Sequence, residues 1–406
     1  MLVIGGGAAG MMCAVTAARM GAHVTVLERN EKIGRKLYIT GKGRCNVTNA
    51  SPRQDFYANI VTNARFLYGA LSRFDSGDTM AFFEEAGVAL KIERGNRVFP
   101  QSDKSADIID ALLREAHKAN VRLVLGCRVQ TLTFADNAFV AKTDKGEFRD
   151  DIVVLATGGV SYAATGSTGD GYAFAAALGH TIVPPVAALV GIRCADTTAL
   201  AGLTLKNVRV GVEQGGRVVC SEFGEMLYTH TGVSGPTVLT ISSRINRMLM
   251  SDLRLVVDTK PAVTVEELDD RLAHSLAANN KQLVNAVHDY LPSAMIDGWL
   301  ENAAVEGRKV ANSVTREERR RMAKALKRFV YPIEGLEPID SAVVTSGGVA
   351  VGDVDPKTME SKLVKGLYFA GELLDVDALT GGYNLQIAFA TGYTAAYFAA
   401  QKEINV

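Results

Sequence analysis

The residues best suited to chemistry stand at the very start of the chain. Leu2-Val3-Ile4 runs straight into Gly5-Gly6-Gly7-Ala8-Ala9-Gly10, and an alanine- and methionine-rich stretch follows to about Met20. Residues 23–27, His-Val-Thr-Val-Leu, then lead to Glu28 and Arg29. Strand, glycine turn, helix, strand and acid in this order form a dinucleotide fingerprint. Gly5 suits the tight turn, Gly7 lets a pyrophosphate approach the backbone, and Gly10 lets helix and strand pack closely. With Ala9 they open a helix whose unpaired N–H groups and positive dipole end attract phosphate. Glu28 falls close to the ~20-residue spacing expected of a ribose-binding acid. The strand ahead of Gly5 is short, which leaves open a natural start farther upstream, and no basic-then-apolar leader precedes it.

An acid at that place favours an unphosphorylated ribose, hence FAD or NAD. Two later segments favour FAD. Residues 151–159, Asp-Ile-Val-Val-Leu-Ala-Thr-Gly-Gly, read as a buried strand ending in a turn at Thr157 and Gly158. Residues 366–372 repeat the strand-to-turn pattern and end in Gly371 and Glu372. Residues 380–386, Thr-Gly-Gly-Tyr-Asn-Leu-Gln, then open an alanine-rich helix to about Ala400. The glycine turn at Gly382 offers a second set of N–H donors to an extended cofactor. A chain whose last strand and helix return to its first domain fits FAD better than a simple NAD dehydrogenase.

Residues 34–49, Gly-Arg-Lys-Leu-Tyr-Ile-Thr-Gly-Lys-Gly-Arg-Cys-Asn-Val-Thr-Asn, set basic side chains among glycines, hydroxyls and amides. The stretch reads as too glycine-rich for regular structure and as a loop able to wrap a diphosphate. With residues 165–171 and 380–384, it resembles the bacterial flavoprotein family containing aminoacetone oxidases and 3-dehydro-bile-acid reductases, over the whole chain. The resemblance implies a non-covalent FAD in the GR2 type of Rossmann fold, which fumarate reductases also use. It implies that Arg35, Lys36, Gly41, Arg44, Cys45 and Asn46 line the cofactor and that the Val129 backbone meets its adenine. Glu372, Asn384 and Leu385 would meet the ribityl chain and the pyrimidine end of the flavin. No histidine lies between Glu28 and Ala116, so the covalent attachment found in fumarate reductases is not expected. Nor is there a second strand–GxGxxG–helix unit, so NAD(P)H, if it is the donor, docks transiently without a Rossmann domain of its own.

The elements that must position these residues follow from patterning. The fold class is α/β: a GR2-type Rossmann FAD-binding domain with an inserted β-rich subdomain and a helical subdomain. The FAD domain is expected over 1–186 and 346–406, the β-rich insertion over 187–262 and 331–345, and the helices over 263–330. Pro184-Pro185 mark the first boundary, after a helix over about 166–180. Alternating residues 208–212 and 217–220 read as strands joined at Gln214-Gly215-Gly216. Thr264/Glu267 and Thr315/Glu318 are capping boxes that start helices.

Composition narrows the function classes. The 406 residues carry 44 basic and 44 acidic side chains, so no net field draws the chain to nucleic acid or an anionic membrane. No apolar run approaches the ~20 residues of a bilayer helix, which predicts a soluble, cytoplasmic protein. Five cysteines without a C-x-x-C pair and six scattered histidines predict neither a disulfide relay nor a metal site. The basic run around Arg319-Arg320-Arg321 reads as a solvated helix face, His230 as a capping or packing residue, and Trp299 as core.

The reading is an FAD-dependent oxidoreductase passing hydride through flavin N5 where the flavin domain meets the insertion. By resemblance, it either reduces a conjugated C=C of a 3-oxo steroid or bile-acid-like substrate with NAD(P)H, or oxidises an amino ketone with O2. Reduction is the favoured chemistry. Tyr162 and Tyr383 are candidate proton donors, although each also fits a packing role, and no catalytic acid is assigned. A flavin-bearing RNA-modifying or interaction protein is the third reading.

Overall fold

Very short strands survive where both faces are covered, and three strands of the first sheet, Leu2–Ile4, Val153–Leu155 and Leu367–Phe369, are buried along their whole length. The computed structural model describes residues 1–404. Five parallel strands stand in the order Leu367–Phe369, Val153–Leu155, Leu2–Ile4, Thr25–Leu27 and Arg122–Val124. The first strand is central. The chain winds outward on one side through the helix Ala8–Arg19, then returns to add Val153–Leu155 and Leu367–Phe369 on the other. That reversal makes a topological switch point beside Leu2–Ile4, where such sheets hold ligands at the carboxyl ends of their strands.

Among the described residues, 1–188 and 338–404 form one compact unit, and residues 189–337 form a second. In the first unit, the helix Tyr383–Ile404 packs on Ala8–Arg19. Gly392 allows the close approach, because a Cβ there would fall 2.3 Å from the Ala9 carbonyl oxygen; Gly371, in the turn after Leu367–Phe369, likewise comes so near that a Cβ on it would fall 2.8 Å from the Ala9 Cβ. The strand Ile182–Ala188 pairs antiparallel with Val344–Val349. Pro184-Pro185 therefore lie inside a strand and do not end a domain; the register breaks between Val183 and Val186, which is where a two-stranded ribbon tolerates missing N–H donors. The helix expected over 166–180 spans only Asp170–Ala177, because Gly166 and Gly169 adopt positive φ.

In the second unit six antiparallel strands close a barrel: Ile192–Cys194, Gly232–Ser234, Arg217–Tyr228, Thr204–Gln214, Leu253–Asp258 and Phe329–Leu336. Gly215-Gly216 make the expected two-residue turn between Gln214 and Arg217. The helices Val265–Ala277, Ser293–Asn302 and Arg316–Leu326 share one apolar core with the barrel. The β-rich and helical segments expected as separate subdomains thus lie in one unit, bounded at 188/189 and 337/338. Trp299 is fully buried in that core, and its indole N–H donates to the Met322 carbonyl at 2.9 Å. His230 is exposed and neither caps nor packs; Gly235, without a side chain, precedes the helix Pro236–Ile245.

Both capping boxes form. At the second, the Lys309 ammonium and the Thr315 N–H pull the Glu318 carboxyl from the usual 4.5 down to about 2. A folded state that binds this proton less readily than the unfolded chain gains stability above pH 4.5 and loses it as pH falls toward about 2. Urea unfolding of Glu318→Gln should therefore show a lower midpoint than wild type at neutral pH, with the gap closing through that acid window. Gly392→Ala should cost the first unit about 1–3 kcal/mol by overpacking against Ala9; an unchanged urea midpoint would contradict the close crossing.

Candidate functional site

The fingerprint glycines sit at the carboxyl end of the central strand, and each meets a different constraint. Gly5 has φ +110°, and a Cβ there would lie 2.5 Å from the Ala156 carbonyl oxygen. A Cβ on Gly10 would lie 1.9 Å from the Gly5 carbonyl oxygen, so the helix starts in direct contact with the turn. Gly7 differs: its φ of −83° suits any residue, and a Cβ would meet no heavy atom within 4 Å. Packing demands glycine at Gly5 and Gly10 but not at Gly7, whose exposed backbone face is what a diphosphate needs.

Around this turn the structure assembles the expected residues from both ends of the chain. Thr157 and Gly158 follow the neighbouring strand, and Gly371 and Glu372 follow the next. Lys36 Nζ donates to Glu372 Oε1 and Oε2 at 2.9 and 2.7 Å and to Ser161 Oγ at 2.6 Å. The Thr345 N–H donates to the same carboxylate at 2.8 Å, and Thr345 Oγ1 accepts from the Val160 and Ser161 amides. The three N–H donors of the ammonium are thereby engaged by the carboxylate and the Ser161 hydroxyl. Ser161 and Thr345 belong to this cluster, and sequence reasoning missed them. Each sits beside a recognised strand-to-turn motif, but only the folded sheet brings residues 36, 161, 345 and 372 together.

Glu28 is buried and ordered from two sides: Oε2 accepts from the Gly6 N–H at 2.6 Å, and Oε1 accepts from the Asn30 amide and side chain at 2.8 and 2.7 Å. Arg35 reaches Asn30 Oδ1 at 3.1 Å. Arg29 bonds Thr168 and pairs with Asp170, which also takes Arg128, the neighbour of Val129. Val129 is buried and opens the strand Val129–Ala135.

The 34–49 stretch is not irregular throughout. Gly34 turns the chain at φ +67°, and the glycine-free run Arg35–Ile39 forms a short helix anchored by Leu37. Averaging glycine content over the whole stretch hid that run. Gly41, Lys42, Gly43 and Cys45 then take left-handed conformations. Arg44 is held away on Glu93 and Asp103, with its guanidinium over the Phe99 ring. Burial pushes the Cys45 thiol up to about 12, so it is no nucleophile at neutral pH.

At the second glycine turn, a Cβ on Gly382 would fall 2.3 Å from the Thr48 carbonyl oxygen and 2.9 Å from Asn46 Oδ1. The Asn384 side chain is occupied by its own loop, accepting from the Ala378 N–H at 2.9 Å and donating to the Ala378 carbonyl at 2.7 Å. Leu385 is half-buried beside it. Tyr383 packs edge-on against Phe56 at 4.9 Å, which favours its packing role, whereas Tyr162 is half-buried in a left-handed conformation.

Two atoms test whether a dinucleotide fits. Asn46 Oδ1 and Thr157 Oγ1 are buried, and among the described residues neither has a hydrogen-bond partner. Buried polar atoms seldom go unpaired without a reason, and a bound group with donors and acceptors supplies one. With Gly7, they fit an extended cofactor between the two glycine turns. A separate cavity of about 420 Å³, lined by Ala18, His23, Asn120 and Arg122 among others, lies at the opposite ends of the strands and holds none of these groups.

Gly7→Val should leave the unfolding midpoint of the cofactor-free protein unchanged while weakening FAD binding about tenfold or more, read by flavin fluorescence titration. Gly10→Val should destabilise the fold itself. Equal stability losses in both variants would remove the distinction.

Comparison with known proteins agrees with this geometry. The family model described as HI0933-like protein Rossmann domain matches residues 1–398. The chain is 34% identical to the 3-dehydro-bile acid delta(4,6)-reductase of Clostridium scindens, covering 98% of each chain. It is 31% identical to the ribosomal RNA dihydrouridine synthase of Haemophilus influenzae, covering 97% of each. Among solved structures, 3-ketosteroid-delta4-(5alpha)-dehydrogenase from Rhodococcus jostii RHA1 superposes with a TM-score of 0.53 at 17% identity, over 98% of this chain and 96% of that one, a likeness of fold alone. Glycine turns, basic stretch and sheet order together place the chain in the HI0933-like Rossmann-domain family, the flavoprotein family that its motifs resemble.

Proposed function

We propose that this protein is an FAD-dependent oxidoreductase that saturates a carbon–carbon double bond conjugated to a carbonyl. The observation that carries the cofactor is the contrast at the fingerprint: packing closes around Gly5 and Gly10 and leaves the Gly7 backbone free. FAD, when bound, supplies a hydride at flavin N5 to the substrate carbon.

The chain's own residues bind and orient. The Gly7 turn and the helix Ala8–Arg19 would take the diphosphate, with Glu28 toward the adenosine ribose. Lys36 and Glu372, which pair at 2.7 Å, would lie toward the ribityl chain, where as a pair they would add little unbalanced charge near the flavin. Asn46 and Thr157 would complete their hydrogen bonds on the cofactor. Saturation also consumes a proton, for which Tyr162 and Tyr383 are the candidate donors, Tyr383 also packing edge-on against Phe56.

The reaction class rests on the relatives. A delta(4,6)-reductase and a dihydrouridine synthase differ in substrate, but both names describe adding two hydrogens to a C=C in conjugation with a carbonyl. The reading favoured here is a 3-oxo steroid or bile-acid-like enone, with NAD(P)H as electron donor in the cytoplasm. Neither of these relatives is named for oxidising an amine, so the oxidase alternative has no added support.

The second reading, a uracil base within RNA, draws on the Haemophilus influenzae relative. The basic helix gives it little help. Arg319 and Arg320 face Asp269, Arg321 pairs with Glu317, Lys327 with Asp258 and Arg328 with Glu213, so much of its charge is neutralised within the chain. The face is solvated, as expected, with Arg320 and Arg328 more than half exposed.

The purified protein should be yellow and release FAD on heating or acidification. Under anaerobic conditions NADH or NADPH should bleach it, and a conjugated 3-oxo steroid acid should restore the colour with a mass gain of two hydrogens. Restoration by uridine-containing ribosomal RNA alone would select the second reading, and a protein that takes up no FAD would overturn both.

A further inference from the structure

Two segments prominent in the sequence, residues 43–49 and 380–386, carry polar side chains that the cofactor reading leaves without a task. Gln386 lies in the first turn of Tyr383–Ile404 and is fully buried, as are Thr48 and Thr79. Its Oε1 accepts from Thr48 Oγ1 at 2.7 Å and from Thr79 Oγ1 at 2.7 Å, and its Nε2 donates to the Phe74 carbonyl at 3.0 Å. The Thr79 hydroxyl has a second acceptor in the Asp75 carbonyl, at the longer distance of 3.1 Å. Beside this cluster Asn49 Nδ2 donates to the Gly381 carbonyl at 2.8 Å and to the Gly95 carbonyl at 3.1 Å, while its Oδ1 accepts from the Ser51 N–H at 3.0 Å. Amide side chains therefore lace the strand Thr48–Asn49 to the second glycine turn, directly over the close approach of Gly382 to the Thr48 carbonyl.

An apolar residue at 386 would fill the space without the desolvation cost of a buried amide. What glutamine adds is direction. Each of its bonds fixes one segment: Thr48 on the strand, Thr79 on the helix Ser76–Glu85, and Phe74 on the connection between helices. A buried hydrogen-bond network of this kind favours one arrangement of the chain. The arrangement it specifies places Thr48 two residues from Asn46, whose buried Oδ1 has no partner among the described residues and lies at Gly382.

We propose that Gln386 is a positioning residue for the cofactor: through Thr48 it holds Asn46 and the Gly381-Gly382 turn in the orientation that receives the flavin end of FAD, without touching FAD itself. The inference rests on the FAD reading above. It also accounts for a glutamine at the start of a helix that is otherwise largely alanine and aromatic on its buried side.

The test uses full-length protein loaded with FAD. Gln386→Leu should weaken FAD affinity about tenfold or more and shift the flavin midpoint potential and visible spectrum. Thr48→Val should act in the same direction, and Thr48→Ser, which keeps the hydroxyl, should restore wild-type values. Ile108→Ala, in the fully buried face of the helix Ser105–Lys118, supplies the comparison: it should lower the unfolding midpoint and leave affinity and potential unchanged. If Gln386→Leu fails to fold, the Thr48 pair decides. Wild-type affinity and potential in both Gln386→Leu and Thr48→Val, or an equal loss in Ile108→Ala, would overturn the proposal while leaving the cofactor reading intact. A wild-type chain that holds no FAD would overturn both.

Discussion

The first unit depends on one crowded place, the backbone at Ala9 and Gly10. Three segments converge there: the first glycine turn through Gly5, the turn after Leu367–Phe369 through Gly371, and the C-terminal helix through Gly392. A side chain at Gly10, Gly371 or Gly392 would forbid these approaches. The resulting contact fixes the helix N-terminus relative to the carboxyl ends of three strands, so the N–H groups that attract phosphate and the carboxylate of Glu372 share one frame. Hydrophobic burial makes this unit stable, but these backbone contacts decide which groups face one another.

Much of this was legible in the residues. The fingerprint, the two later strand-to-turn units and the returning helix each have a local signature, and all appear close to their expected places. What could not be read locally was pairing across long separations. Ser161 and Thr345 look unremarkable in their own neighbourhoods; their meaning comes from Lys36 and Glu372, which the sheet order brings beside them. Asn384 shows the opposite limit. Its motif suggests a cofactor contact, but the fold turns its amide back onto the Ala378 backbone.

Boundaries were harder than elements, for a physical reason. Pro184-Pro185 look like a break because proline ends most regular structure, but an edge of a two-stranded ribbon has no neighbour to miss its donors. Likewise the barrel and the helices of the second unit have different periodicities but one shared core. Periodicity reports the local partner of a segment and not the body to which it belongs. Charge obeys the same logic: the arginines after Glu318 read as a solvated face in one dimension, but only the fold shows that Arg319, Arg320 and Arg328 find acidic partners on other elements.

The placement of the C-terminal helix has a consequence for how the molecule is made. A ribosome delivers the central strand and its glycine turn first, then the entire barrel unit, and only at the end the segment that covers Ala9. The nascent nucleotide-binding half must therefore wait, with its inner surface uncovered, through the synthesis of a complete intervening body. Of the parts that meet at Ala9, the helix Tyr383–Ile404 is thus the last to be made.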